Sequence, residues 1–135
     1  MICVHADWAI GDVDAYRSTL AEAARVAFEE RALVTVGIVP SRPDPGLGYI
    51  QPGAPVRDGV QRVARFVEKP DRERAAQMVA DGFLWNSGIF VFRADVILEE
   101  IRRAMPVLRL FLDGAQATER EAAREALNRL GSAIV

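Results

Sequence analysis

The segment from Leu33 to Val39 limits most strongly what this 135-residue chain can fold into. It reads Leu-Val-Thr-Val-Gly-Ile-Val, a nearly continuous apolar run that is typical of a strand buried on both faces of a sheet. Before it, apolar residues near 3.6 spacing predict an amphipathic helix over Val13 to Glu30, and Ile2 to His5 predicts a short strand. Strand, helix and strand with short links predict a right-handed βαβ unit in a parallel sheet. The expected fold class is therefore α/β.

The rest of the chain alternates loops with short elements. The prolines and glycines of Pro40 to Gly48 predict an ordered loop, and Pro52 to Gly59 predicts a second one. Between them Tyr49 to Gln51 predicts a short strand, and alternation over Gln61 to Glu68 predicts a strand with mixed faces. The remaining predicted elements are a helix from the cap Asp71 to Asp81, a strand Ile89 to Phe92, a helix Ala94 to Met105 and a helix Glu119 to Leu130.

Composition excludes several classes of function. The net charge of −2 argues against binding to nucleic acid or a membrane surface through bulk positive charge. No apolar run approaches the roughly 20 residues of a membrane span. Cys3 is the only cysteine and His5 the only histidine, so an intrachain disulfide, a Cys-based zinc site and a multi-His metal site are excluded. We expect no nucleic-acid partner, no membrane partner and a cytoplasmic location.

An aspartate follows the first predicted strand. Asp7 stands where ligands of open α/β sheets bind, outside the carboxyl ends of the strands. A carboxylate there can hold Mg²⁺, which takes oxygen ligands together with substrate phosphates. An ordinary turn or cap aspartate is the competing interpretation.

Lys69 is the only lysine, while the other 16 basic residues are arginines. A position that keeps lysine in such a chain fits a need for a compact, flexible point charge rather than a planar fork. It ends the run Phe66-Val67-Glu68-Lys69, where an ammonium can neutralise a phosphate. A solvated surface lysine at a strand-to-helix turn is the alternative.

A third polar group lies at Asn86-Ser87-Gly88, between Trp85 and the strand that begins at Ile89. Asparagine offers two donors and an acceptor and serine a hydroxyl, which suit the hydroxyls of a sugar. Gly88 lets a ligand approach the backbone. A plain turn explains the same three residues.

Taken together, these pieces resemble the mannose-1-phosphate guanylyltransferases, a family of sugar-phosphate nucleotidyltransferases. The resemblance spans roughly Val4 to Leu108, and it rests on motifs that occur in family order and at about family spacing. Those motifs are His5 to Trp8, Val34 to Pro40, Pro45 to Ile50, Phe66 to Asp71 and Trp85 to Phe90.

The resemblance implies a Rossmann-like, GT-A-like nucleotidyltransferase fold, a mixed sheet flanked by helices. It implies that Asp7 is a Mg²⁺ ligand beside the nucleotide phosphates and that Lys69 holds the sugar-1-phosphate. The other implied contacts are with the sugar: Gly48 through its backbone, Glu68 through the sugar hydroxyls, and Asn86, with Ser87 and Gly88 shaping the wall beside it.

The chain also departs from the family pattern. Family members usually have Pro where His5 stands, His where Trp8 stands and Tyr where Leu47 stands. The family's Gly-rich nucleotide loop has no counterpart in residues 1–135, and neither does its second metal-binding aspartate. We therefore expect residues 1–135 to be a partial catalytic domain, incomplete relative to the family.

For the complete enzyme the resemblance implies transfer of GMP from GTP to mannose-1-phosphate, giving GDP-mannose and pyrophosphate. Two alternatives remain open: a catalytically inactive fragment that binds sugar phosphate, and a nucleotidyltransferase for another sugar or base. Uncovered sheet edges and apolar surface also predict self-association, as a homo-oligomer or through poor solubility.

Overall fold

The computed structural model describes residues 1–105 and 108. The predicted helix Glu119 to Leu130 lies outside them, and no helix within them is long and apolar enough to cross a membrane. In chain order the described elements are β1 (Ile2–Cys3), α1 (Val13–Glu29), β2 (Val34–Ile38), β3 (Tyr49–Arg57), β4 (Val60–Val67), α2 (Arg72–Ala80), β5 (Leu84–Val91) and α3 (Ala94–Ala104). The α/β class, a sheet flanked by helices, is confirmed.

Strand β5 organises the sheet because it pairs with three other strands. Its residue Val91 pairs with both β1 and β2, and Trp85 pairs with both β2 and β3, so β2 lies on one edge of β5 while β1 and β3 share the other. All pairings among the described strands are antiparallel. β1 and β2 therefore run in the same direction with β5 between them. The predicted parallel sheet is wrong, because the apolar run of β2 does not specify which strand lies beside it, and the strand that does, β5, runs antiparallel.

A β-bulge interrupts β5 near its middle. Thr35 pairs with Phe90 and Gly37 with Asn86, so one residue of β2 faces three residues of β5. Gly88 lies in the bulge with φ of +73°, a left-handed conformation that glycine adopts without steric cost. The predicted turn at residues 86–88 is thus a bulge inside a continuous strand.

The hairpin of β3 and β4 is longer than predicted. β3 continues through Arg57 instead of ending at Gln51, so the predicted loop over Pro52 to Gly59 is largely strand. Pro52 and Pro55 lie at register shifts, in the part of β3 that pairs with β4 but not with β5. Proline lacks an N–H donor, and bulges on an edge strand are where a sheet tolerates it.

Two core clusters hold the helices to the sheet. In the first, Ala23 and Ala27 of α1 pack against Ile89 and Val91 of β5. Burying one such side chain as large as Val91 stabilises the fold by about 1.5–3 kcal/mol. The second cluster joins α2, β3 and the start of β5 through Tyr49, Ala75, Met78 and Phe83.

Helix α2 begins and ends where the sequence predicts. The carboxylate of Asp71 accepts a hydrogen bond from the Arg74 N–H at 2.8 Å, and Gly82 follows the helix with φ of +79°. Both features depend on neighbouring residues alone, which is why the sequence reveals them.

A cluster of charges ties the tip of the hairpin to the end of α1. Arg57 contacts Glu29 at 2.7 Å and Glu30 at 3.5 Å, and Arg62 contacts Glu30 at 3.2 Å. The hydrogen bond from Arg57 holds the pKa of Glu29 below its usual value, and the positive charges of Arg57 and Arg25 add to this effect. We call the residues Glu29, Glu30, Arg57 and Arg62 the hairpin clasp.

The lowered pKa makes a prediction about stability and pH. A carboxyl group with a depressed folded-state pKa stabilises the fold above its unfolded pKa, and this contribution is lost as pH falls through the folded pKa. Arg57→Met should therefore lower the urea midpoint at neutral pH, and the difference from wild type should shrink in acid. Arg65→Met, an equal substitution on β4 outside the clasp, is the control. A midpoint difference for Arg57→Met that is independent of pH would contradict the assignment.

Candidate functional site

Asn86 lies at the start of the β5 bulge and is fixed by three hydrogen bonds. Its N–H donates to the Gly48 carbonyl at 2.7 Å. Its Oδ1 accepts from Thr35 Oγ1 at 2.9 Å and from the Gly88 N–H at 3.3 Å. Because the oxygen is occupied, the two N–H donors of the side-chain amide are the part of Asn86 left to contact a ligand.

Gly48 lies where three side chains converge. A Cβ built at this position would lie 2.9 Å from Glu68 Oε2, 3.0 Å from Phe66 Cζ and 3.5 Å from Asn86 Cβ. A carboxylate, an aromatic ring and an amide therefore surround a stretch of bare backbone. The structure thus brings together Gly48, Glu68 and Asn86, which the sequence places far apart along the chain.

The loop that leads to Gly48 is ordered by Asp44 and Tyr49. The hydroxyl of the fully buried Tyr49 donates to the Asp44 carbonyl at 3.1 Å and accepts from the Asp44 N–H at 2.9 Å. The Gly46 N–H donates to the carboxylate, and together with the Arg42 guanidinium it lowers the pKa of Asp44. Hydrogen bonds of this kind hold the loop in one conformation and so fix where Gly48 meets β5.

Lys69 adjoins this group in a strained backbone conformation. Its φ is +43°, a left-handed value that costs a non-glycine residue on the order of 1–3 kcal/mol and is concentrated at functional sites. The ammonium lies 3.5 Å from Glu68 Oε1, and its side chain is 65% exposed. A positive charge is therefore available to a ligand beside the carboxylate.

Ser87 and Gly88 shape the bulge itself. Ser87 is buried and its Oγ accepts the Ile89 N–H at 3.1 Å, so this hydroxyl supports the backbone of the bulge. Gly88 leaves room for the ring of His5, whose Nε2 a Cβ at position 88 would overlap.

Asp7 lies on the exposed segment between β1 and α1, two residues after His5. The contact of His5 with Gly88 brings this segment beside the β5 bulge. Within residues 1–105 and 108 no three His, Cys, Asp or Glu side chains come close enough to enclose a metal ion. A single exposed carboxylate nevertheless fits Mg²⁺, because this ion is commonly bound through one or two carboxylates, water and substrate phosphates.

Sequence reasoning missed Thr35. Its hydroxyl fixes the orientation of the Asn86 amide, and the available signal was one polar residue within the apolar strand Val34–Ile38. A cleft of about 770 Å³ opens between α1, β2 and the β3–β4 hairpin, and Thr35 is among the residues that line it. None of the predicted site residues lines that cleft.

The bond between Thr35 and Asn86 makes a prediction about stability. Thr35→Val keeps the shape of the side chain but removes the donor, so it should destabilise the fold by about 1 kcal/mol. Thr19→Val is the matched control, since the Thr19 hydroxyl is exposed and bonds only to the helix backbone at Ala15. Urea unfolding measures both, and equal effects of the two substitutions would contradict the role given to Thr35.

Comparison with known proteins places these features in a family. A model of the family described as nucleotidyl transferase matches residues 2–127. The mannose-1-phosphate guanylyltransferase of Escherichia coli is 44% identical over 110 residues, which cover 78% of this chain and 23% of that protein. The alginate biosynthesis protein AlgA of Pseudomonas putida is 45% identical over 106 residues, covering 76% of this chain and 22% of that protein.

A solved structure agrees in fold. The crystal structure named as a mannose-1-phosphate geranyltransferase from Thermus thermophilus superposes with a TM-score of 0.77 at 34% identity, covering 92% of this chain and 37% of that one. The chain spans less than a quarter of the length of the two curated relatives. Since the family model matches nearly its whole length, the chain belongs to the nucleotidyl transferase family.

Proposed function

We propose that this chain forms the sugar-phosphate side of an enzyme that transfers GMP from GTP to mannose-1-phosphate. The observation that carries the proposal is the convergence of Glu68 and Asn86 on the bare backbone of Gly48, with the sole lysine beside them. The name of the Escherichia coli relatives, mannose-1-phosphate guanylyltransferase, supports the choice of both substrates.

The sugar contacts follow from the polar groups that remain unoccupied. The Glu68 carboxylate accepts hydrogen bonds from sugar hydroxyls, and the Asn86 amide donates to a sugar oxygen. Gly48 lets the sugar lie against the backbone, since any side chain there would meet Glu68 and Phe66. Ser87 and Gly88 support the conformation of the bulge beside Asn86 through their hydrogen bonds.

Lys69 supplies the charge that a sugar-1-phosphate requires. Its exposed ammonium has one close carboxylate partner, Glu68, within the described residues. A phosphate carries more negative charge than this carboxylate and accepts several hydrogen bonds, so it can compete for the same donor. The strained backbone at Lys69 supports a functional reason for the residue.

The reaction forms one bond and breaks one. An oxygen of the mannose-1-phosphate attacks the α-phosphorus of GTP, the bond to the β-phosphate oxygen breaks, and pyrophosphate leaves with the electron pair. The protein aligns the two phosphates and neutralises their charge. Asp7 would hold the Mg²⁺, which neutralises phosphate charge when bound.

Two alternatives to this function are the binding of a sugar phosphate without transferase activity and nucleotidyl transfer with a different sugar or base. Binding of mannose-1-phosphate without nucleotidyl transfer would favour the former. A preference for a different sugar-1-phosphate or nucleoside triphosphate would favour the latter.

The single lysine allows a direct test of phosphate binding. An amine-reactive reagent can label the side chain of Lys69 and the N-terminal amine, and peptide mass mapping separates the two. Mannose-1-phosphate should slow labelling of Lys69 and leave Met1 unaffected, whereas free mannose should protect neither. Lys69→Ala should weaken binding by about 1.5–3 kcal/mol, the range for a charge-assisted hydrogen bond. Unchanged labelling of Lys69 at saturating ligand would exclude the contact.

Catalysis is best tested in a chimera. Replacing the matching segment of the Escherichia coli enzyme by residues 4–108 of this chain should retain GDP-mannose synthesis. In that chimera Lys69→Ala should lower the rate by on the order of 10²–10³, the range for loss of one transition-state contact. Arg65→Ala on β4 is the control and should leave the rate near that of the chimera. A Lys69→Ala chimera of full activity would reject the role of Lys69.

A further inference from the structure

We propose that His5 and Trp8 are positioning residues, which hold the Asp7 segment against the bulge of β5. The inference rests on the proposed function, because it is that function which assigns the metal-facing carboxylate to Asp7. Both residues stand at positions where this chain departs from the family pattern. Two ring contacts near Asp7 support this role.

The first contact joins His5 to Gly88. A Cβ at position 88 would overlap His5 Nε2 and would lie 3.1 Å from its Cδ2 and 3.4 Å from its Cε1. The imidazole ring therefore occupies the space that a side chain at this position would fill. Glycine is therefore required at position 88 for two reasons: the bulge has a positive φ there, and the His5 ring occupies the space of a side chain.

The second contact is a stack between His5 and Trp8. Their ring centroids are 5.6 Å apart and the planes differ by 14°. Offset stacking of this kind is a favourable arrangement of two aromatic rings. Since Asp7 lies between the two residues in sequence, the stack closes the backbone around it into a short loop.

The segment around Asp7 has few other interactions that could hold it in place. In the part of the chain that the structure describes, no side chain of residues 4–11 makes a hydrogen bond or an ion pair. The segment has no regular secondary structure between β1 and the cap of α1. With no polar side-chain contact to hold it, the Asp7 loop depends on packing, and His5 provides its ring contacts with Trp8 and with the β5 bulge at Gly88.

The contact between His5 and Gly88 connects the Asp7 loop with Asn86, the proposed sugar-binding residue. The N–H of Gly88 donates to Asn86 Oδ1, so the residue on which His5 rests also helps orient the Asn86 amide. A shift of the imidazole would move the Asp7 loop away from the bulge that carries Asn86. Residues that orient a metal ligand commonly contribute substantially to metal affinity without touching the metal.

The first test uses NMR of the full chain, in which His5 is the only histidine. Its carbon-bound ring protons should resonate upfield of their position in Trp8→Leu, because the indole ring current shields them. Trp8→Phe keeps an aromatic face and should retain part of the shift. Identical His5 resonances in wild type and Trp8→Leu would overturn the proposal.

The second test measures binding of Mn²⁺, a paramagnetic substitute for Mg²⁺, in the presence of mannose-1-phosphate. Broadening of the His5 signals should saturate at low Mn²⁺ in wild type and should be lost in Asp7→Asn. Trp8→Leu should need roughly tenfold more Mn²⁺, as expected for loss of a residue that orients a ligand. Trp8→Phe should restore the wild-type affinity, and an unchanged affinity in Trp8→Leu would overturn the positioning role.

The two tests separate this inference from the proposed function. Equal broadening in wild type and Asp7→Asn would remove the metal role of Asp7, and the ring shifts alone would then decide whether the stack seats the segment. If mannose-1-phosphate fails to protect Lys69 from labelling, the sugar-phosphate site is rejected. The ring-current shifts of His5 do not depend on that result.

Discussion

The hydrogen bond from the Asn86 N–H to the Gly48 carbonyl is the contact on which the candidate site depends. It joins the end of a proline-rich loop to the strand that pairs with three others. It extends the pairing of β3 with both β5 and β4 at Tyr49, which places Asn86 and Glu68 on either side of Gly48. A backbone bond between a loop end and a strand thus helps to bring together side chains that are 18 residues apart in sequence.

Around that bond the fold combines rigid and strained elements. The core clusters under α1 and α2 fix the sheet, and the buried Tyr49 hydroxyl fixes the loop before Gly48. Two of the irregular features, the bulge at Gly88 and the left-handed Lys69, border the site. Regular packing elsewhere offsets the cost of holding them.

The sequence predicts the local features well and the long-range ones poorly. The cap at Asp71, the helix end at Gly82 and helix α1 depend on neighbouring residues, and their signals are direct. The position of β5 between β1 and β2 depends on contacts over about 50 residues or more, which periodicity does not encode. A glycine beside polar residues indicates a turn and a bulge equally well, because both need a positive φ.

For the site, family motifs identified Gly48, Glu68 and Asn86, and the structure shows that these three converge. The contribution of Thr35 and the stack of His5 with Trp8 could not be predicted, since they depend on which strands lie side by side. The left-handed backbone at Lys69 has a further consequence. Glycine would adopt that conformation without strain, so the lysine side chain at position 69, like the arginine at position 31 with φ of +48°, is carried at a cost to the stability of the fold.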